Sequence, residues 1–197
     1  MKWLFIIFLF TFSTANNFKV AYKIDAKSRM YLNGKTNINN YECSCNDDFP
    51  ASVISGTETE NGTTHFNNAV LQIKTSLLSC KNKLMNRDMH KALKAEEHPY
   101  IIITLHEAAM MNKTQVQLNT WYNYNPTVTL TIAGVSRKTQ LHVQLNKKSS
   151  HLFQLKASKE ILMSDYHVKP RTPFNMIKIE DKVTINFDMM IVVNEVN

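Results

Sequence analysis

Apolar and polar residues alternate along most of this chain with a period of two. The clearest segment runs from Val183 to Met189, where four apolar side chains alternate with three polar ones. Successive side chains of a β-strand point to opposite faces, so this alternation predicts strands with one apolar and one polar face. The pattern recurs throughout, and it predicts inward-facing positions at Phe18, Val20, Tyr22, Leu71, Ile73, Val116, Leu118, Val128, Leu130, Ile132, Leu141, Val143, Phe153, Leu155, Val183, Ile185, Phe187 and Met189.

Turn dipeptides separate many of the predicted strands. Asn33-Gly34 and Asn61-Gly62 are typical of hairpin turns, and Ala133-Gly134 separates two alternating segments by a very tight turn. One helix is predicted near residues 86–95 with Asn86 as its N-cap, and a second short helical stretch near residues 164–166. The chain is therefore predicted to be all-β, with about eight antiparallel strands and one or two short helices. Their apolar faces require cover from a second sheet or closure into a barrel.

The N-terminus has the pattern of a cleavable signal peptide. Lys2 precedes an apolar segment from Trp3 to Phe12, and the small residues Ser13, Thr14 and Ala15 follow. We expect cleavage near Ala15, which leaves residues 16–197 as one domain in the periplasm or secreted. No later segment of the sequence approaches the roughly 20 apolar residues that a membrane-spanning helix needs.

The formal net charge of +7 is spread along the chain and is not concentrated in one basic block. We therefore expect no nucleic-acid partner. A scattered positive charge favours solubility and attraction to an anionic surface of the cell envelope.

The three cysteines predict a disulfide, because an exported chain meets oxidising conditions. Cys43 and Cys45 would lie on one face of a strand with Cα atoms roughly 6.6 Å apart, a poor geometry for bonding each other. We expect Cys43 or Cys45 to pair with Cys80. A thiol or metal site built from the Cys-Ser-Cys segment and a histidine is the alternative, but it lacks a Cys-x-x-Cys spacing and a second ligand pair. No motif predicts a catalytic residue, a metal or a cofactor.

Three segments resemble the YceI-like family of bacterial lipid-binding proteins. The most specific is Val128-Thr-Leu-Thr-Ile-Ala-Gly-Val-Ser-Arg-Lys-Thr-Gln-Leu141, which is similar to a hairpin motif of that family. Residues 71–101 resemble its strand, short helix and strand entry, and residues 163–185 resemble its closing region. The resemblance covers about residues 71–191, with a weaker match at residues 34–39.

The resemblance implies an extended, lipocalin-like antiparallel β-barrel with a helix across it, exported to the periplasm. It also implies a cavity for a long isoprenoid-type chain, so that the alternating apolar residues would form the ligand-binding wall. Such binding needs no catalytic group, because each buried methylene contributes about 0.8 kcal/mol. The alternatives are a barrel with a filled core that acts as an envelope interaction or stress-response module, the thiol or metal enzyme, and an outer-membrane barrel. The sequence leaves the ligand and the oligomeric state open.

Overall fold

The computed structural model describes residues 16–45, 47–112, 114–170 and 177–195, so the expected signal peptide at residues 1–15 lies outside the described residues. Helix α1 spans Lys83–Ala92, and two 3-10 turns span Thr75–Leu77 and Met163–Tyr166. The second turn confirms the short helical stretch expected near residue 165. The strands are β1 (Asn16–Ile24), β2 (Arg29–Thr36), β3 (Asn40–Cys45), β4 (Ser52–Glu58), β5 (Thr63–Lys74), β6 (Leu78–Ser79), β7 (Tyr100–Ala109), β8 (Trp121–Tyr124), β9 (Thr127–Ile132), β10 (Val135–Gln140), β11 (His142–Lys147), β12 (Leu152–Leu162) and β13 (Ile179–Glu195).

Several of these strands continue one another across a bend. β1 and β2 both pair with β13. On their other side, β1 pairs with β4 and β2 pairs with β3, in nearly the same register. In the same way, β8 pairs with β11 and β9 pairs with β10, in a single register. Within the described ranges, this leaves eight strands: β1/β2, β3/β4, β5/β6, β7, β8/β9, β10/β11, β12 and β13. Each pairs antiparallel with the next, and β13 pairs back with β1/β2, so the sheet closes. The expected barrel of about eight strands is confirmed.

Two of the expected turns are confirmed by the backbone. Ala133 and Gly134 have φ angles of 48° and 80° and join β9 to β10, with Ile132 and Val135 directly paired. Gly62 has a φ of 78° in the turn between β4 and β5. In the Ala133-Gly134 turn, the positive φ at both central positions matches the right-handed twist of a hairpin. Asn33-Gly34 is not a turn, because both residues lie within β2.

Helix α1 begins earlier than the sequence predicts. Asn82 is the N-cap, and its side-chain Oδ1 accepts a hydrogen bond from the backbone N–H of Met85 at 3.1 Å. Asn86 lies inside the helix instead. Its side chain accepts from the backbone N–H of Cys80 at 2.6 Å and donates to the hydroxyl of Ser79 at 3.1 Å, so it fixes the helix to the preceding strand. In the described residues, no helix is long and apolar enough to cross a membrane.

The connection between β7 and β8 corrects the strand predicted around Val116 and Leu118. These two side chains are 44% and 56% exposed in a loop without β-structure. The buried Tyr122 explains the difference, because its hydroxyl donates to the carbonyl of Gln115 at 3.1 Å and accepts from the N–H of Gln117 at 2.9 Å. The tyrosine hydroxyl thus forms the hydrogen bonds that these two backbone groups would form with a neighbouring strand if the segment were part of a sheet. Val116 and Leu118 are therefore not part of the barrel wall.

Apolar side chains fill much of the barrel interior. One buried cluster contains Ile24, Met30, Ile73, Leu78, Phe187 and Met189, and a second contains Leu130, Ile132, Ala133, Tyr166 and Val168. The inner face of α1 contributes Met89 to the first cluster, and the C-cap residue Leu93 contacts both clusters. The helix is thereby packed across the end of the barrel at which β2, β9 and β12 end.

Candidate functional site

A cavity of about 440 Å³ lies under helix α1 at this end of the barrel. Its wall is mainly aliphatic and comes from seven strands, α1, and residues of the stretches 163–170 and 177–178. The lining residues are Leu32, Thr36, Ile38, Asn39, Tyr41, Cys43, Leu78, Cys80, Asn82, Leu84, Met85, Asp88, Met89, Ala92, Leu93, Ile101, Ile132, Ile161, Met163, Tyr166, Val168, Pro170, Ile177, Ile179, Val183 and Ile185. The barrel is therefore filled over part of its length and hollow beneath the helix.

The helix presents its apolar side to the cavity. Met85, Met89 and Ala92 recur at spacings of four and three, which places them on one face of α1. Unbranched methionines adapt to ligands of irregular shape because their side chains have three rotatable bonds. This face can therefore contact an apolar chain without imposing one ligand shape.

Few polar side chains reach the cavity. Tyr41 and Tyr166 line the cavity, and burial raises the pKa of both phenols, so both are neutral at physiological pH. Asp88 lines the edge of the cavity, and its Oδ1 lies 3.3 Å from the Nε of Arg87. This wall suits an apolar ligand whose orientation a few polar groups could set.

The expected disulfide is present between Cys43 and Cys80, and Cys45 is free. The register explains the pairing, because Ser44 is paired with Ser79, which places Cys43 opposite Cys80 across β3 and the end of β6. Both bonded cysteines line the cavity. Burial raises the pKa of the Cys45 thiol, which disfavours the reactive thiolate. In the part of the chain that the structure describes, no three His, Cys, Asp or Glu side chains are grouped to hold a metal ion.

The structure distributes the predicted wall residues over three environments. Ile132, Val183 and Ile185 line the cavity. A second set is buried in the interior outside the cavity wall and consists of Ile73, Val128, Leu130, Val143, Phe187 and Met189. The third set is partly buried and also outside the cavity wall: Phe18, Val20, Tyr22, Leu71, Leu141, Phe153 and Leu155.

Sequence reasoning did not assign the helix or the ends of the strands to the site. Met85, Met89 and Ala92 recur at helical spacing in the sequence, but such spacing does not distinguish a cavity wall from ordinary core. Ile38 lies in the β2–β3 turn and Tyr41 lies just after it near the start of β3, where a period of two gives little signal. The signal that could have found them is the position of the cap, since a helix over one end of a barrel must face the residues at that end.

A polar depression of about 360 Å³ lies beside the cavity, where β10 and β12 separate. Arg137 donates from Nε and Nη2 to the carbonyl of Asp165 at 3.2 and 3.1 Å, and Lys159 donates to the carbonyl of Gln140 at 3.1 Å. Arg137 thus links β10 to the 3-10 turn at Met163–Tyr166, and Lys159 links β12 to β10.

A closed eight-stranded antiparallel barrel with an apolar, helix-capped cavity belongs to the class of lipocalin-like barrels. Residues 15–191 match the family model of the YceI-like domain, and the chain belongs to this family. No curated protein sequence matches the chain.

Two solved structures show the same fold. A polyisoprenoid-binding domain from Saccharophagus degradans, implicated in plant cell wall breakdown, is 14% identical and has a TM-score of 0.65, over 88% of this chain and 98% of that one. BcnA of Burkholderia cenocepacia is 17% identical and has a TM-score of 0.61, over 85% of this chain and 99% of that one. At these identities the likeness establishes the fold alone.

Proposed function

We propose that this protein binds and carries a long apolar molecule of the polyisoprenoid, quinone-like or fatty class in the cavity beneath α1. The observation that supports this function is the aliphatic wall of a cavity of about 440 Å³, a volume within the range of about 300–1,000 Å³ common for small-molecule sites. Membership of the YceI-like family and a structural neighbour described as polyisoprenoid-binding support the same ligand class.

Burial of hydrocarbon supplies the affinity in this proposal. Each methylene that leaves water contributes about 0.8 kcal/mol, so a few isoprene units outweigh the entropy lost on binding. In this proposal, Tyr41 and Tyr166 of the cavity wall orient a weakly polar group of the ligand. The proposal assigns no catalytic step to the protein.

The proposed location of this carrier is the periplasm or the cell exterior. The sequence of residues 1–15 supports export, and the Cys43–Cys80 disulfide is compatible with an oxidising compartment. Removal of the first fifteen residues leaves the whole of β1 in the mature chain.

The test is to purify the protein from its own envelope fraction and to identify bound lipid by native mass spectrometry and organic extraction. Ala92→Trp places a large ring in the cavity from the face of α1 and should abolish the bound mass. Ala21→Trp is the matched control, because Ala21 lies on the face of β1 opposite to Tyr22 and the buried Ile24. It should retain the lipid. A wild type that yields no lipid, from its own envelope or after incubation with prenyl lipids, would favour the interaction module instead.

A further inference from the structure

The solvent face of α1 is a stripe of positive charge. Lys83, Arg87 and Lys91 are exposed and recur every four residues, which aligns them along one side of the helix. Lys81 and Lys94 are exposed just before and just after the helix. The carboxylate within α1 is Asp88, which accompanies Arg87 and is mostly buried, with 21% of its side chain exposed. The nearest other carboxylates in sequence, Glu96 and Glu97, follow in the connection to β7.

Two apolar side chains stand at the rim of the cavity on the same end of the barrel. Ile38, in the β2–β3 turn, is 67% exposed, and Leu84, in the first turn of α1, is 42% exposed. Both also line the cavity. Lys35 and Lys178 lie in the neighbouring segments and are exposed, and the backbone N–H of Lys178 is bonded to the side chain of Asn37 in the same turn.

We propose that this end of the barrel docks on an anionic lipid bilayer, with Ile38 and Leu84 in the interface and the α1 cations against the lipid phosphates. Exposed aliphatic side chains beside lysine and arginine match the interfacial zone of a membrane, in which apolar groups insert below charged headgroups. The negative surface potential of anionic lipids attracts basic segments that lie close to it. The inner side of the helix meanwhile lines the cavity, so a single helix would join the membrane surface to the proposed ligand site.

This orientation gives an apolar ligand a short path. A cavity whose rim enters the interface can receive a chain from the bilayer without exposing the hydrocarbon to water, which would cost about 0.8 kcal/mol for each methylene. That consequence rests on the proposed carrier function. Docking itself rests only on the charge and the apolar rim, and it can be measured on protein without ligand.

The test compares flotation of the purified mature protein with vesicles of phosphatidylcholine and with vesicles that also contain phosphatidylglycerol. The triple variant Lys83→Gln, Arg87→Gln, Lys91→Gln should lose roughly fivefold in partition coefficient for each charge removed, and only on the anionic vesicles. The matched control is a second triple variant, Lys19→Gln, Lys23→Gln, Lys27→Gln. It removes the same number of positive charges from exposed positions on β1 and in the turn after it, and it should bind the vesicles as the wild type does. Added salt should weaken the binding of wild type and control alike.

A second variant tests the apolar contribution. Ile38→Ser with Leu84→Ser retains every charge and should reduce partition on the anionic vesicles, while circular dichroism and the Cys43–Cys80 disulfide report that the fold is intact. Equal losses in the two charge variants would show attraction by net charge alone and would overturn the proposed face. Failure of the wild type to float with anionic vesicles would overturn docking on lipid and leave a protein partner for this surface. Lipid extraction from the same preparations tests the carrier function separately.

Discussion

The ring of Tyr41 packs over Gly34, its direct cross-strand partner on β2 and β3. Gly34 is buried, and a Cβ at this position would collide with the aromatic ring. The absence of a side chain on Gly34 thus lets Tyr41 lie against the sheet and line the cavity. Glycine is required at this position because an aromatic ring approaches the backbone closely, and not because the chain turns.

Gly34→Ala should therefore destabilise the protein and displace Tyr41. We expect a loss of about 1–3 kcal/mol in the free energy of unfolding, the usual range for an overpacked site, measured by urea denaturation. Tyr41→Ala provides the reference background, because it removes the ring that the new methyl group meets. In that background the same Gly34→Ala change should cost much less. Equal costs in the two backgrounds would contradict the packing relationship.

The Gly34 site also shows where sequence reasoning was limited. A period of two predicts which side chains face inward, and the buried positions of β9 and β13 confirm it. Asn33-Gly34 has the local composition of a turn, but its backbone is bonded on both sides by β13 and β3. A dipeptide has no information about those partners, which come from residues about 8 and about 150 positions away along the chain. The tertiary pairing overrode the local preference.

The candidate site was less predictable than the fold for a similar reason. Leu130 seemed a suitable cavity residue from its alternation and its family-like hairpin, yet it is buried in the interior and is not on the cavity wall. Alternation gives the same signal for a residue that fills a barrel and for one that lines a space. The position of helix α1 at one end of the barrel decides whether a residue fills the interior or lines the cavity. The helix is packed against some strand ends and leaves a cavity beside them.

The Cys43–Cys80 disulfide should contribute to stability by restricting the unfolded chain. The bonded residues are 37 apart in sequence, and in the chain-entropy model a loop of this size is worth roughly 3–4 kcal/mol. Cys80→Ser should lower the free energy of unfolding by an amount of this order, as measured by urea denaturation under oxidising conditions. Cys45→Ser is the matched control, since Cys45 is free, and it should have a much smaller effect.

Reduction of the disulfide should also affect the cavity, because Cys80 precedes the N-cap of α1 by two residues. Hydrogen exchange should rise first in the amides of α1 when the protein is reduced. If peptide mapping of oxidised protein finds three free thiols, or finds Cys45 bonded to Cys80, the pairing across β3 and β6 is wrong.

Export should remove the first fifteen residues. Intact mass of the protein from its native envelope should correspond to a chain that begins at or within a few residues of Asn16, because small residues at Ser13 and Ala15 precede that position. Ala15→Arg places a long charged side chain at the expected cleavage position and should leave the precursor uncut. A mature wild-type protein that still begins at Met1 would contradict both the cleavage and the proposed location.

The buried tyrosines should make the protein sensitive to alkaline pH. Burial is the main cause that raises the pKa of Tyr22, Tyr41, Tyr124 and Tyr166. In the unfolded chain these phenols ionise near their ordinary pKa of about 10, whereas the folded protein retains the protons to higher pH. The unfolded state therefore binds fewer protons above this pH, and the free energy of unfolding must fall as the pH rises.

We expect this contribution to stability to be complete below pH about 10 and to be lost as the pH rises from there through the raised pKa values. Urea denaturation at a series of alkaline pH values measures the slope. Tyr41→Phe removes one ionising group while keeping the ring over Gly34, so its stability should fall less steeply with pH than that of the wild type. Identical slopes for the wild type and Tyr41→Phe would show that the Tyr41 hydroxyl ionises in the folded barrel as easily as in water.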